Sequence, residues 1–183
     1  MNQLAEKYQK VLRPQLQKDL SLKNIMSVPK VQKVVINVGL GRSLSNKQWV
    51  EIVQSILERI SGQKPVLTKA KKSISNFKIR QGMVVGAKVT LRGEKMYDFL
   101  EKLINVTFPR LRDFHGLENH KGFDENGNFT IGFKEHIVFP EIGMEDLDKI
   151  HPLELTVATS AHDEKQAFAL LSSLGFPFKK NKK

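Results

Sequence analysis

Asp124, Asn126, Asn128 and Glu135 stand at the spacing of a calcium-binding loop, where side-chain oxygens and a closing carboxylate surround a hard cation. Such a loop needs a glycine at its centre to turn back on the ion, and Phe129 occupies that position. Asn126-Gly127 is instead the dipeptide favoured in tight hairpin turns, so the same residues read as a hairpin entering a strand. Gly39-Leu40-Gly41-Arg42-Ser43-Leu44 follows a strand-like run but lacks the third glycine of a dinucleotide fingerprint and opens no helix at once. A turn is expected there. His115, His120, His136, His151 and His162 are scattered, without the paired spacing of a zinc-protease helix, and the chain has no cysteine to complete a zinc site or carry a thiolate. No serine or carboxylate sits in a diagnostic catalytic motif. The expectation is a protein with no metal, no cofactor and no catalytic residue.

Charge is the more informative signal. The chain carries 30 Lys and Arg against 19 Asp and Glu, a net +11 with a pI near 9.8, which suits a polyanionic partner. Its distribution sharpens this. Between Glu58 and Glu94 there is no acidic residue, where chance would place roughly three or four. The same stretch holds Arg59, Lys64, Lys69, Lys71, Lys72, Lys78, Arg80, Lys88 and Arg92. An ordinary solvated face mixes signs to limit repulsion; a single-sign segment of this length is built for phosphates.

The elements that must position these cations follow from hydrophobic periodicity. Leu4, Tyr8, Val11, Leu12 and Leu16 predict a first helix, kinked or divided by Pro14. Ser45 and Gln48 form a capping box for a second, with Trp49, Val53, Ile56, Leu57 and Ile60 on one face and Gly62 at its end. A third begins near Glu94 and aligns Met96, Tyr97, Leu100, Leu103 and Ile104. The last opens at an Asp163/Gln166 capping box and runs through Leu170 and Leu174 to Gly175. Period-two alternation predicts strands with Val34, Ile36, Val38 and Leu40 on one side, then Ala87, Val89 and Leu91, then Phe129, Ile131 and Phe133, then Leu153, Leu155 and Val157, with a shorter strand over 65–68.

This pattern predicts an α+β fold: a mostly antiparallel sheet with helices packed on one face and the other face open. Asn37, Lys88, Thr90 and Arg92 fall on the open side, where donors and charge suit a folded RNA backbone. A hydrophobic content of 40% and a length of 183 residues fit a single domain over 1–183, ending in a short basic tail at Lys179, Lys180, Lys182 and Lys183. No apolar run nears the roughly 18 residues of a membrane helix, and the start lacks a secretory pattern, so a cytoplasmic location without membrane contact is expected.

Ordered phrases then carry a resemblance. Lys33-Val34-Val35-Ile36-Asn37-Val38-Gly39 is followed by Gly62-Gln63-Lys64-Pro65-Val66-Leu67-Thr68-Lys69-Ala70-Lys71-Lys72-Ser73-Ile74 and Phe77-Lys78-Ile79-Arg80. Gly86-Ala87-Lys88-Val89-Thr90-Leu91-Arg92-Gly93, Pro109-Arg110-Leu111-Arg112-Asp113-Phe114, Phe139-Pro140-Glu141-Ile142 and Leu170-Leu171 to Phe178 complete the set. Together they resemble the bacterial ribosomal protein L-five family over nearly the whole chain. The resemblance implies a constituent of the large ribosomal subunit that binds 5S rRNA, with 23S rRNA and other central protuberance proteins as neighbours. It further implies contacts with peptidyl-site tRNA and a bridge to small-subunit protein S-thirteen. It assigns 5S rRNA binding to Asn37, Gln63 and Thr90, with Lys64, Lys88 and Arg92 as backbone partners. The tRNA-contacting loop becomes Lys71, Lys72, Ser73, Asn76, Phe77, Lys78 and Arg80, and the inter-subunit bridge Arg110, Arg112, Glu141 and Glu145. Val84 stands where the family usually has proline and His115 where arginine is common. An RNA-modifying enzyme or an RNA chaperone without a fixed target would use the same basic face; the first lacks a catalytic motif, and the second would bind unrelated RNAs equally well.

Overall fold

Among the described residues there are five strands, β1 (Val31–Gly39), β2 (Val66–Lys69), β3 (Val84–Leu91), β4 (Phe129–Phe133) and β5 (Leu153–Thr159), and all but β2 bury apolar residues. They form one antiparallel sheet in the order β2-β3-β1-β5-β4. Among the described residues six α-helical segments complete the α+β fold: α1 (Gln3–Lys7), α2 (Arg13–Asp19), α3 (Lys47–Ser61), α4 (Gly93–Lys102), α5 (Phe108–Arg110) and α6 (Glu164–Leu174). The computed structural model describes residues 3–41, 47–112, 114–119, 121–143 and 149–179. Ser45 of the expected second capping box therefore lies outside the described residues.

The chain divides into two units, one made of Met1–Val34, Leu91–Ile131 and Thr156–Lys183, the other of Val35–Thr90 and Gly132–Leu155. In the first unit α1 packs on α4 and α2 on α6. Two of its helices share a device. A π-helical turn over 8–12 precedes Pro14, and another over 103–107 precedes Pro109. Proline lacks the N–H that an α-helix would use and crowds the carbonyl four residues back, and a wider turn just before it relieves both problems. Where a kink or break was expected at Pro14, the helical path continues. The wider turn also keeps Leu4, Tyr8, Leu12 and Leu16 buried at a spacing of four, which would drift around a regular helix. Val11, expected on that face, is 55% exposed.

Phenylalanines hold the part of this unit that lacks regular structure. Phe108, Phe114, Phe123, Phe129, Phe168, Phe176 and Phe178 form a connected cluster, with Phe168 and Phe178 4.7 Å apart between ring centres. Leu117 donates to Pro177 and accepts from Lys179, both over 2.8 Å, so the C-terminal segment binds the irregular one. At the start of α6 the expected capping box does not form. Asp163 makes no side-chain cap, while Gln166 Oε1 accepts from the His162 N–H at 3.4 Å.

In the second unit α3 buries Val53, Ile56, Leu57 and Ile60. Gly62, with φ +64, ends the helix by donating to Glu58 over 2.8 Å, as its spacing predicted. Ile36 and Val38 of β1 and Ala87 and Val89 of β3 are also buried, while Asn37 and Lys88 between them are exposed and Thr90 is half-buried.

Candidate nucleic-acid interface

Strand pairing defines the outward face. β2 and β3 run antiparallel with Val66 opposite Lys88 and Thr68 opposite Gly86, and directly opposed residues point to the same side. Lys88 is exposed and its buried neighbours Ala87 and Val89 point inward, so Val66, Thr68, Lys88 and Thr90 share the open face. Asn37 reaches the solvent side of β1 between buried Ile36 and Val38. Among the described residues the Asn37 amide, the Thr90 hydroxyl and the Lys88 ammonium make no side-chain hydrogen bond or ion pair, which leaves them available to a partner. Val66, 61% exposed, was not anticipated on this face; the register places it there.

Gln63 sits differently. Half-buried in the turn after α3, its Nε2 donates to the Thr90 carbonyl at 3.4 Å, and its N–H donates to Ser61 Oγ at 3.3 Å. Lys64 beside it is exposed, as is Arg92, whose extended backbone leads into α4. The acid-free segment thus presents Lys64, Lys69, Lys71, Lys72, Lys78, Arg80, Lys88 and Arg92 to solvent, none in an ion pair among the described residues.

The Lys71–Arg80 segment is a bonded hairpin rather than an open loop. Ile74 and Ile79 exchange two backbone hydrogen bonds of 2.9 and 3.1 Å, and Ala70 donates to Met83 and accepts from Gly82. Ser73 Oγ accepts from the Gln81 N–H. A single 3₁₀ turn over 75–77 and Lys78 at φ +54 reverse the chain at its tip. Phe77 stands there 68% exposed, so it does not anchor the loop; Lys71, Lys72, Ser73, Asn76, Lys78 and Arg80 are exposed around it.

Arg110 and Arg112 are exposed just after the second π-helical turn, in the first unit. Glu141 is half-buried in the other unit, and Glu145 lies outside the described residues. Two of the five histidines do come together: His136 and His151 are buried and stacked 4.3 Å apart, with Trp49 edge-on to His151. The His151 N–H donates to His136 Nδ1 at 3.4 Å. Sequence spacing carries no sign of this pairing, because a 3₁₀ turn and a strand approach make it. Among the described residues no group of three or more potential ligands is placed to hold a metal ion.

The calcium-like residues resolve into a turn. Asp124 Oδ1 accepts from the N–H groups of Asn126 and Asn128 at 3.0 and 2.6 Å, and Oδ2 from Asn128 Nδ2 at 2.7 Å. Partial burial pushes the Asp124 carboxyl up, but the bonds from the Asn128 side chain and backbone and from Asn126 outweigh it and hold the group below its ordinary value. The carboxylate is consumed by its own loop, which spans five residues between Phe123 and Phe129 instead of a two-residue Asn-Gly turn.

A basic, open sheet face with a bonded basic hairpin at its edge suits a polyanionic partner. Comparison with known proteins agrees. Residues 24–80 match the family model described as "Ribosomal protein L5", and residues 84–178 match the model of the C-terminus of the same ribosomal family. The chain is similar to "Large ribosomal subunit protein uL5" of Halothermothrix orenii, 52% identical over 178 residues covering 97% of this chain and 99% of the relative. The proteins of the same name from Geotalea daltonii and Mycoplasma mycoides subsp. mycoides are 52% and 51% identical over 179 residues, 98% of this chain and 99% of each relative. The chain belongs to the ribosomal protein L5 family, a structural and non-enzymatic component of the ribosome.

Proposed function

We propose that this chain, as part of the large ribosomal subunit, binds 5S rRNA through its open sheet face and helps anchor it in the central protuberance beside 23S rRNA and neighbouring proteins. Asn37, Gln63 and Thr90 set the register by hydrogen bonds, while Lys64, Lys88 and Arg92 neutralise backbone phosphates and release their counterions. The Lys71–Arg80 hairpin extends to peptidyl-site tRNA. Arg110 and Arg112, with the vicinity of Glu141 and Glu145, bridge to small-subunit protein S-thirteen. A single domain running over 1–183 carries all three contacts.

One observation supports this reading above the others: eight exposed cations on an acid-free stretch have no carboxylate partner among the described residues, and the same stretch builds part of the open face and the whole hairpin. Like charge gathered on one stretch repels itself in the free protein and is favourable against phosphate. The test is binding of purified full-length protein to 5S rRNA and to an unrelated structured RNA at matched salt. A preference for 5S rRNA of at least about a thousandfold is expected of a specific site. Equal affinities would mark an RNA chaperone instead.

A further inference from the structure

Among the described residues nothing packs against two of the strand glycines. Gly39 of β1 and Gly132 of β4 are exposed, neither has a positive φ, and a Cβ added to either meets no atom within 4 Å. A glycine in a strand weakens it, and where neither a positive φ nor packing asks for one, the bare backbone leaves room for close approach of a ligand.

The two glycines line a groove of about 370 Å³ shared with Asn37, Lys134, Pro152 and Glu154. β5, which carries Glu154, lies between β1 and β4, so Glu154 lines the groove between the two strands that carry the glycines. Glu154 is exposed and has no ion pair among the described residues. On a face that meets phosphates such a charge is repelled; facing a nucleobase, it accepts N–H donors.

We propose that this groove seats one unstacked nucleotide of the bound RNA, and that its base is guanine. This rests on the reading that the open face binds 5S rRNA. Guanine alone among the four bases offers two adjacent N–H donors, N1–H and N2–H, on one edge, matching the two oxygens of a carboxylate. Glu154 accepts both, Asn37 Nδ2 donates to the neighbouring O6, and Lys134 meets the flanking phosphate. The bare backbone at Gly39 and Gly132 lets the base plane approach the sheet.

The full-length protein and its Glu154→Gln and Gly132→Val variants are compared for binding to 5S rRNA and to an unrelated structured RNA at matched salt. Each variant is expected to lose roughly five- to a hundredfold in 5S rRNA affinity while keeping its affinity for the unrelated RNA and a thermal midpoint no lower than the parent's. Should valine shift the midpoint, Gly132→Ala reads the same contact with a smaller group. Probing with a reagent that modifies the N1 and N2 edge of unpaired guanine is expected to show one guanine protected by the parent protein and re-exposed by Glu154→Gln. Unchanged or tighter 5S binding by Glu154→Gln overturns the seat, since tighter binding means that the carboxylate faces phosphate. Protection confined to other bases overturns the guanine assignment. If the parent protein itself shows no preference for 5S rRNA, the functional reading fails and the seat with it; if the preference survives in both variants, only the seat fails.

Discussion

The side-chain amide of Gln63 donates to the carbonyl of Thr90 over 3.4 Å, tying the turn after α3 to the strand that carries the open face. Ser61 steadies the same turn: its Oγ lies 2.6 Å from the Leu57 carbonyl and 3.0 Å from the Gln63 carbonyl. Gln63 therefore commits one amide hydrogen to the fold and keeps its oxygen and second hydrogen for a partner. Gln63→Ala is expected to lower folding stability by roughly 0.5–1.5 kcal/mol and also to weaken 5S rRNA binding. Thr90→Ala should cost about 1–3 kcal/mol in binding alone, because the Thr90 atom that Gln63 uses is backbone and survives the change. Denaturant titration beside RNA titration separates the two. A Gln63→Ala protein with an unaltered midpoint would show that the bond contributes nothing to the fold.

Three glycines on the sheet separate structural need from vacancy. A Cβ on Gly86 would meet Thr68 Oγ1 at 2.8 Å and the Val38 carbonyl at 2.9 Å, and the backbone contact has no side chain to swing aside. Gly86→Ala is expected to destabilise the protein by about 1–3 kcal/mol through overpacking. Gly39→Ala and Gly132→Ala should be neutral or stabilising by up to roughly 0.5–1 kcal/mol. Shifts in denaturant midpoint at constant slope measure all three; a Gly86→Ala midpoint equal to the parent would remove the close approach as the reason for that glycine.

Period-two alternation made the strands legible, because burial on one side leaves a direct trace in residue type: Val34, Ile36, Val38, Ala87, Val89 and Leu91 are all buried as the pattern required. The open face follows from the same pattern, which is why Asn37, Lys88 and Thr90 were readable on it. Its members fixed by pairing register were not, since Val66 in sequence is one more apolar residue and only its place opposite Lys88 turns it outward. The groove between Asn37, Gly132 and Glu154 was likewise invisible, because it depends on β5 lying between β1 and β4. The π-helical turns escaped for a different reason. Proline in a helical pattern signals a break, and nothing in residue type says that the preceding turn will widen instead.

Salt dependence distinguishes cations that meet phosphate from those that pair at home. Lys88 is exposed and unpaired among the described residues, whereas Lys121 lies 2.8 Å from the Glu118 carboxylate. Lys88→Gln is expected to reduce the slope of log affinity against log salt for 5S rRNA by roughly 0.7–0.9, one phosphate contact. Lys121→Gln should leave it unchanged. A parent-like slope for Lys88→Gln removes that residue from the interface.

Alkaline titration reports on the helical unit. The chain has only two tyrosines. Burial, with a smaller contribution from Tyr97, pushes the Tyr8 phenol up to about 12, and its hydroxyl donates to the Pro29 carbonyl at 2.8 Å. Burial also raises Tyr97. The folded state therefore favours the neutral phenols: their contribution to stability is complete below the ordinary value of 10.0 and is lost as pH climbs from there toward 12. Phenolate absorbance should show no titration centred at 10 in the folded protein and a clear one in strong denaturant. Tyr8→Phe should lose less of its stability than the parent over that pH interval. A folded-state transition centred at 10 would mean that the phenols are open to water.

The hairpin tip offers the sharpest separation of two roles within one chain. Its reversal depends on backbone bonds between Ile74 and Ile79 and on Ser73 holding the Gln81 N–H, not on Phe77, whose ring is exposed. Removing the ring should leave the fold intact and subtract only what the ring touches outside the protein. An aromatic side chain stacked on a nucleotide contributes about 1–3 kcal/mol. Phe77→Ala is therefore expected to keep the parent's thermal midpoint and 5S rRNA affinity, while ribosomes carrying it release peptidyl-site tRNA faster, by roughly five- to a hundredfold. Deleting 73–80 should give the same direction with a larger effect, because Lys78 and Arg80 leave as well. Loss of 5S rRNA binding in either variant would move the 5S site onto the hairpin, and tRNA retention equal to the parent in both would remove the hairpin from the tRNA path.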